Sequence, residues 1–293
     1  MTDSTVFRLD GGLSTALEAN GHSIGGALWT GELLLSHPDA VTDAHRQFVD
    51  AGADIIITGS YQLSFEGGRR AGWTDDETER ALRNSTTAAR LAADEGTLVA
   101  SSIGPYGAFL NDGSEFRGNY DVTESVLRDF HDRRLDVLLS TEPDLFAVET
   151  MPDLGEVRVI LDLLNSKDAD VPLWVSFTVS APSLVSGGGT FADACALVAE
   201  YPAAIAVGIN CSPLTVITPS LESVESELPF VVYPNAGQQW DSGSMSWTGE
   251  PEFATADHID HWVALGARIV GGCCGYGPAV YDKNKRQGAT GEH

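Results

Sequence analysis

The sequence predicts a single closed (β/α)8 barrel of the TIM type. Three observations predict it. Short apolar runs rich in β-branched residues recur eight times, each leads into a stretch with helical periodicity, and none has the character of an edge strand that an open, doubly wound sheet needs. A length of 293 residues fits one such barrel, with one domain expected over the whole chain and a polar tail from about 283 to 293.

The first strand is expected over 7–12, ending in Asp10-Gly11-Gly12. A helix over 38–52 follows, with Pro38 near its first turn and Gly52 at its C-terminal end. Strand two is expected over 53–60, and the helix over 75–96 opens on Asp75-Asp76-Glu77, acid at the positive end of the helix dipole. Strand three (98–104) leads to a helix over 123–141, and strand four (145–150) to one over 154–167. Strand five (172–179) precedes the glycine run Ser186-Gly187-Gly188-Gly189, which lacks the spacing of a dinucleotide loop and the lysine of a P-loop and is expected to be a mobile loop. Helix 191–201, strand six (204–212), helix 218–228, strand seven (229–237), helix 255–266 and strand eight (267–275) complete the circuit.

Charge narrows the function. Forty-two acidic against seventeen basic residues give a formal charge of −25, a field that repels phosphate backbones and anionic lipid alike, so no nucleic acid and no membrane partner is expected. The apolar runs fall far short of the roughly 20 residues a membrane helix needs, and the N-terminus has no basic stretch followed by an apolar one, so a cytoplasmic location is expected. The acids are scattered over helix faces, and lysine is confined to Lys167, Lys283 and Lys285. This is the pattern of a halophilic surface in a high-salt cytoplasm, where self-repulsion is screened; an ordinary acidic protein is the plainer alternative.

In a barrel of this kind the chemistry sits at the C-terminal ends of the strands. Strand six ends in Asn210-Cys211-Ser212 and strand eight in Gly271-Gly272-Cys273-Cys274-Gly275, so three thiols reach one rim. Adjacent strand residues face opposite ways, and Cys273 and Cys274 can share one ion only where the backbone bends, a freedom that the flanking glycines supply. Three thiolates with a vacant fourth position suit catalytic zinc. Buried structural cysteines and a vicinal disulfide are the alternatives, and a redox dithiol is the corresponding function. Cys195 lies in a helical, apolar stretch and is expected to be core packing. His258 and His261 have a metal-like spacing on an outer helix but are expected on its solvated face.

These residues lie within a longer set of motifs. Asp10-Gly11-Gly12 with Leu17-Glu18, Tyr61-Gln62, Gly104-Pro105-Tyr106-Gly107-Ala108 and Gly118-Asn119-Tyr120 are followed by Glu149-Thr150-Met151-Pro152, Gly208-Ile209-Asn210-Cys211 and Tyr233-Pro234-Asn235. Together with the Gly-Gly-Cys-Cys stretch they span residues 10 to about 280, and on them the chain resembles the homocysteine S-methyltransferase family. That family includes enzymes using S-methylmethionine, betaine or a methyl-corrinoid as donor.

The resemblance implies that Cys211, Cys273 and Cys274 hold zinc and that homocysteine sulfur takes the open position, forming methionine. It implies that Glu149 receives the homocysteine ammonium, with Asp10 helping and Gly11 and Gly12 letting backbone approach the amino acid. Trp29 and Tyr61 fall where the family places aromatics near the donor, and an aromatic face attracts an onium methyl group. Asn235 matches a position near the metal, without an assignable role. The expected donor is a small sulfonium, S-methylmethionine or S-adenosylmethionine. Betaine, a separate methyl-corrinoid protein, or a zinc- and homocysteine-binding module that delivers thiol to another transferase remain open. Two segments, Asn235-Ala236-Gly237-Gln238 and Gly275-Tyr276-Gly277-Pro278, depart from the common pattern and bear on donor preference. The chain ends soon after strand eight, so no cobalamin domain is expected in it.

Overall fold

The computed structural model describes residues 5–26, 28–237, 239–241 and 246–280. Eight parallel strands make one sheet: β1 (Phe7–Arg8), β2 (Ile55–Ile57), β3 (Leu98–Ile103), β4 (Leu145–Met151), β5 (Leu173–Phe177), β6 (Ala204–Asn210), β7 (Phe230–Tyr233) and β8 (Ala267–Val270). Neighbours follow chain order, and β8 returns to β1 with Ile269 opposite Phe7. The ring closes just past β1, where Leu9 bridges Ile55 and the Asp10 N–H donates to the Ile55 carbonyl at 3.0 Å. The expected (β/α)8 barrel is therefore present.

The described helices are α1 (Leu13–Ala19), α2 (Thr30–Ser36), α3 (Pro38–Asp50), α4 (Phe65–Arg70), α5 (Asp75–Ala92), α6 (Tyr106–Leu110), α7 (Glu124–Leu139), α8 (Leu154–Ser166), α9 (Phe191–Ala199), α10 (Leu214–Glu222) and α11 (Ala256–Ala264). Seven of them, α3, α5 and α7 to α11, are the connecting helices read from the sequence. Four of these starts are fixed by side chains: Thr74, Thr190 and Thr255 each close a capping box, and Asp153 accepts from the Glu156 N–H. Gly52 and Gly266, at φ of 94° and 106°, end the helices before them in a conformation that costs glycine nothing.

Three expectations need correction. Strands β1, β2, β7 and β8 are shorter than the runs 7–12, 53–60, 229–237 and 267–275: beyond them only single hydrogen bonds continue the sheet, such as Leu9 N to Val270 O at 2.9 Å and Thr58 N to Ala100 O at 2.9 Å, and the Asp10 carboxylate accepts from the Ile57 N–H at 2.8 Å. Helix α10 starts at Leu214, four residues before the expected 218, and carries Pro219 in its interior. The glycine run 186–189, expected to be mobile, is tied into a hairpin of Val179–Ala181 with Leu184–Val185, with Gly187 N donating to Pro152 O at 2.7 Å and Ser186 N to Thr178 O at 3.0 Å. The four short helices α1, α2, α4 and α6 decorate the rim and were not expected. The tail 283–293 lies outside the described residues.

Strand alternation sorts the interior. Leu9, Ile55, Ala100, Leu145, Ala147, Trp174, Ala206, Val231 and Ile269 fill the barrel, while Phe146, Val148, Val175, Val207 and Val232 face the helices. Two residues further along the inward series stand Ser102, Glu149, Ser176 and Tyr233, all buried. The barrel core thus turns from apolar to polar toward the C-terminal ends of its strands.

Candidate active site: three thiols at the barrel rim

Cys211 is the first residue past β6 and has φ of 45°, the left-handed region that a residue with a Cβ enters at a cost of about 1–3 kcal/mol. Both of its backbone groups are tied. Its N–H donates to Tyr233 O at 3.0 Å, and its carbonyl accepts from Asn235 Nδ2 at 3.0 Å. Behind it, buried Asn210 accepts from the Thr150 N–H at 2.8 Å and donates to Thr150 Oγ1 at 2.7 Å, joining the end of β6 to that of β4, where Thr150 is also left-handed (φ 59°). At Gly208 an added Cβ would stand 1.8 Å from Val231 O, so only glycine lets β6 and β7 lie this close below the site.

The opposite wall is the loop after β8. Cys273 N donates to Pro234 O at 2.8 Å, Cys274 O accepts from Ala236 N at 2.9 Å, and Gly275 N donates to Thr15 Oγ1 at 3.1 Å. These bonds turn both thiols to the same side. Cys211 Sγ lies 3.6 Å from Cys274 Sγ, Cys273 Sγ lies 4.0 Å from Cys274 Sγ, and all three sulfurs fall within 4.8 Å of one another. A disulfide needs about 2.05 Å, so neither pair is bonded. A tetrahedral ion with M–S bonds of about 2.3 Å sets its sulfurs about 3.8 Å apart, close to the two measured spacings. The expected convergence is present. Hydrogen bonds from Cys211 and Cys273 hold the Cys274 thiol well below its ordinary range, whereas bonding to Cys211 and Cys274 pushes Cys273 up.

Below the thiols lies a carboxylate network. Glu149 accepts from Ser102 Oγ on one oxygen and from the Tyr233 hydroxyl at 3.1 Å on the other. Tyr233 in turn receives the Trp174 Nε1–H at 3.1 Å and contacts Ser176 Oγ at 2.5 Å. Burial raises the Glu149 carboxyl to about 7 against these stabilising bonds. Asp10 is also buried, and burial together with the charge of Glu149 lifts its carboxyl well above the usual range. Two buried acids, one of them raised further by the other, are relieved by a cation. The sequence marked Glu149 and Asp10; it missed Ser102, Ser176, Trp174, Asn210, Thr150 and the part played by Tyr233. The signal for Ser102 and Tyr233 was there: each is the last inward position of a strand whose earlier inward residues are apolar.

Gly11 and Gly12 serve the fold here. A Cβ on Gly11 would meet Tyr276 O at 2.1 Å, and one on Gly12 would meet Cys273 O at 2.8 Å, so their bareness seats the end of β1 against the cysteine loop. Burial, followed by the negative Glu115, Cys211 and Glu149, pushes the Tyr61 phenol far up against a hydrogen bond with Thr150. Trp29 is half-buried in a left-handed turn (φ 47°) before α2, whose Gly31 packs onto Leu63 in the loop carrying Tyr61. Tyr276 is buried, accepts the Ala254 N–H at 2.7 Å and stacks edge-on against Phe253, so it wedges the cysteine loop in place. Gln238 lies outside the described residues.

Cys195 is buried in α9, its thiol pushed to about 12 by desolvation, and belongs to the core as expected. His258 caps α11 and His261 pairs with Glu222 at 2.9 Å on the surface, away from the thiols. Among the described residues no helix is long and apolar enough to cross a membrane.

Comparison with known proteins agrees with this site. Residues 8–281 match the family model for homocysteine S-methyltransferase. The chain is 37% identical over 287 residues to the homocysteine S-methyltransferase of Escherichia coli (strain K12), covering 94% of this chain and 92% of that one. It is 36% identical over 284 residues to homocysteine S-methyltransferase YbgG of Bacillus subtilis (strain 168), covering 91% and 89%. The metallated form of the homocysteine methyltransferase MmuM from Escherichia coli superposes with a TM-score of 0.85 at 34% identity over 96% of both chains.

Proposed function

This chain belongs to the homocysteine S-methyltransferase family, and from that membership we propose that it carries a methyl group from a small sulfonium, S-methylmethionine or S-adenosylmethionine, to homocysteine held at a zinc site, giving methionine. The observation that carries the reading is the approach of the Cys211, Cys273 and Cys274 sulfurs to within 4.8 Å of one another.

The donor set fits zinc: three soft sulfur ligands, spaced like the edges of a tetrahedron, with a corner left for a substrate. Zinc bound there supplies the charge that keeps a substrate thiol deprotonated at neutral pH, where a free thiol of pKa about 8.5 is mostly protonated. The rest of the chemistry belongs to the protein. Glu149, its two oxygens oriented by Ser102 and Tyr233, receives the homocysteine ammonium, and Asp10 adds negative potential behind it. Trp29 and Tyr61 offer aromatic faces to the onium methyl group. Asn235, Asn210 and the cysteine loop hold the thiols in register. The methyl–sulfonium bond breaks with its electron pair going to the departing sulfur, the new bond forms to the acceptor thiolate, and thiolate plus sulfonium become two neutral thioethers. No general acid is needed, so catalysis rests on alignment and exclusion of water.

The test is direct. Purified protein is assayed for zinc content and for methionine formed from homocysteine with S-methylmethionine, S-adenosylmethionine, betaine and methylcobalamin as separate donors. Turnover with a sulfonium that disappears on chelation and returns with zinc supports the reading; activity in zinc-free protein, or turnover with betaine or methylcobalamin alone, removes it. The reading includes a cytoplasmic enzyme, and the charge of −25 fits one working at high salt.

A further inference from the structure

Glu115 is a buried acid that nothing in the preceding reaction uses. It sits on the one-turn 3-10 helix Ser114–Phe116, is only 5% exposed, and is fixed from behind by Gly107, where an added Cβ would meet the Glu115 nitrogen at 2.5 Å. Its Oε2 has no hydrogen-bond partner among the described residues. The positive group nearest in effect is Arg117, yet that side chain is exposed and is itself bonded to the Asp112 carbonyl at 3.1 Å. Asp112 and Cys274 are the negative groups that act on Glu115, and Glu115 heads the charged neighbours of Tyr61, ahead of Cys211 and Glu149. The 3-10 helix carrying Glu115 packs against β4, which carries Glu149, and an added Cβ on Gly104, just past β3, would meet Tyr61 O at 2.5 Å, so Glu115, Tyr61 and Glu149 border one sector of the rim.

A buried carboxylate oxygen without a partner is costly, and such a group is retained where a ligand completes it. The two acids of this sector differ in that respect. Both oxygens of Glu149 are occupied by hydroxyl donors, whereas Glu115 keeps one free. We infer that Glu115 is a donor-specificity residue: its carboxylate receives the positively charged end of the methyl donor beside Tyr61. The assignment rests on the onium-donor reading above and deepens it, dividing recognition between Glu149 for the acceptor and Glu115 for the donor.

E115Q keeps the shape of the side chain and removes its charge. With zinc-loaded protein and saturating homocysteine, the KM for S-methylmethionine rises about tenfold or more, as expected for loss of a charge-assisted contact, while the KM for homocysteine stays within about twofold. Trimethylsulfonium, which lacks an ammonium, separates the two positive centres: a rise for both donors places the sulfonium at Glu115, and a rise for S-methylmethionine alone places the ammonium there. Methylation of bound homocysteine by uncharged iodomethane is unchanged. Calorimetric titration of each onium probe into wild type and E115Q reads the same contact without turnover. If the wild type turns over no sulfonium, the function proposed above fails, and the calorimetry still decides the role of Glu115. An unchanged donor KM and Kd in E115Q overturns the inference, as does a proportional rise for homocysteine or a slowed iodomethane reaction. E115A serves as the second variant if E115Q loses zinc or its melting transition.

Discussion

The side-chain amide of Asn235 donates to the carbonyl oxygen of Cys211 at 3.0 Å, so a residue just past β7 holds the left-handed turn that aims a thiol from β6. Asn235 Oδ1 also accepts from the Gly237 N–H at 3.0 Å, which fixes the orientation of the amide. Asn235→Ala removes both bonds and leaves a strained turn unsupported. Metal affinity is expected to fall about 10- to 100-fold, the usual cost of losing a group that orients a ligand, with the fold intact. Competition against a calibrated chelator measures it; affinity equal to wild type refutes the assignment.

Glu149 provides a pH signature of known sign. Burial holds its carboxyl near 7 in the folded chain, above an unfolded value of about 4.3. The proposed ammonium contact needs the carboxylate, so the KM for homocysteine is expected to fall as pH rises through about 7, and E149Q to raise that KM and flatten its pH profile.

Stability runs the other way. A carboxyl with a raised folded pKa contributes its stabilisation below the unfolded value and loses it as pH rises through the folded one. In metal-free protein E149Q therefore melts higher than wild type at pH 8, by on the order of 3 kcal/mol, and the gap closes toward pH 4. Melting curves at the two pH values check this; an equal gap at both contradicts it.

Cys211→Ser and Cys195→Ala are a matched pair. The first removes one of three converging sulfurs and is expected to abolish zinc binding and turnover. The second sits in the α9 core, so zinc content and kcat stay as in wild type while stability drops by about 1 kcal/mol from lost packing. Elemental analysis beside a melting curve distinguishes them, and a zinc deficit in Cys195→Ala would reassign the ligands.

The net charge of −25 predicts that molar KCl stabilises the fold by screening self-repulsion. A thermal melt in 2 M KCl against 0.05 M, concentrations of about this size, reads the shift; equal melting temperatures would leave the acidity without a role in stability.

Much of this was legible before the fold. Alternating apolar runs gave the eight strands, and the position of Cys211, Cys273 and Cys274 at strand ends put them on one rim. The limits have physical causes. Strand ends were overestimated because the apolar and glycine-rich patterning runs on into the rim loops, where only single hydrogen bonds such as Leu9 N to Val270 O continue the ladder. The helix α10 begins before its expected start, with Pro219 in its interior, a place where proline removes a helix hydrogen bond and which patterning does not foresee. Asn235 had no readable role because its partner is a backbone carbonyl, and Glu115 sits outside any strand, so no periodicity announced its burial. Gly11 and Gly12 were read for a substrate, and their lack of a side chain also makes room for the backbone of residues 276 and 273.

The sulfurs belong to the ends of β6 and β8, with β7 between them. An ion held by the thiols would therefore work as a cross-tie over three adjacent staves of the wall. Its departure slackens that arc alone, so amide protons around 208–212, 230–236 and 270–276 exchange faster while β3 to β5 keep their protection.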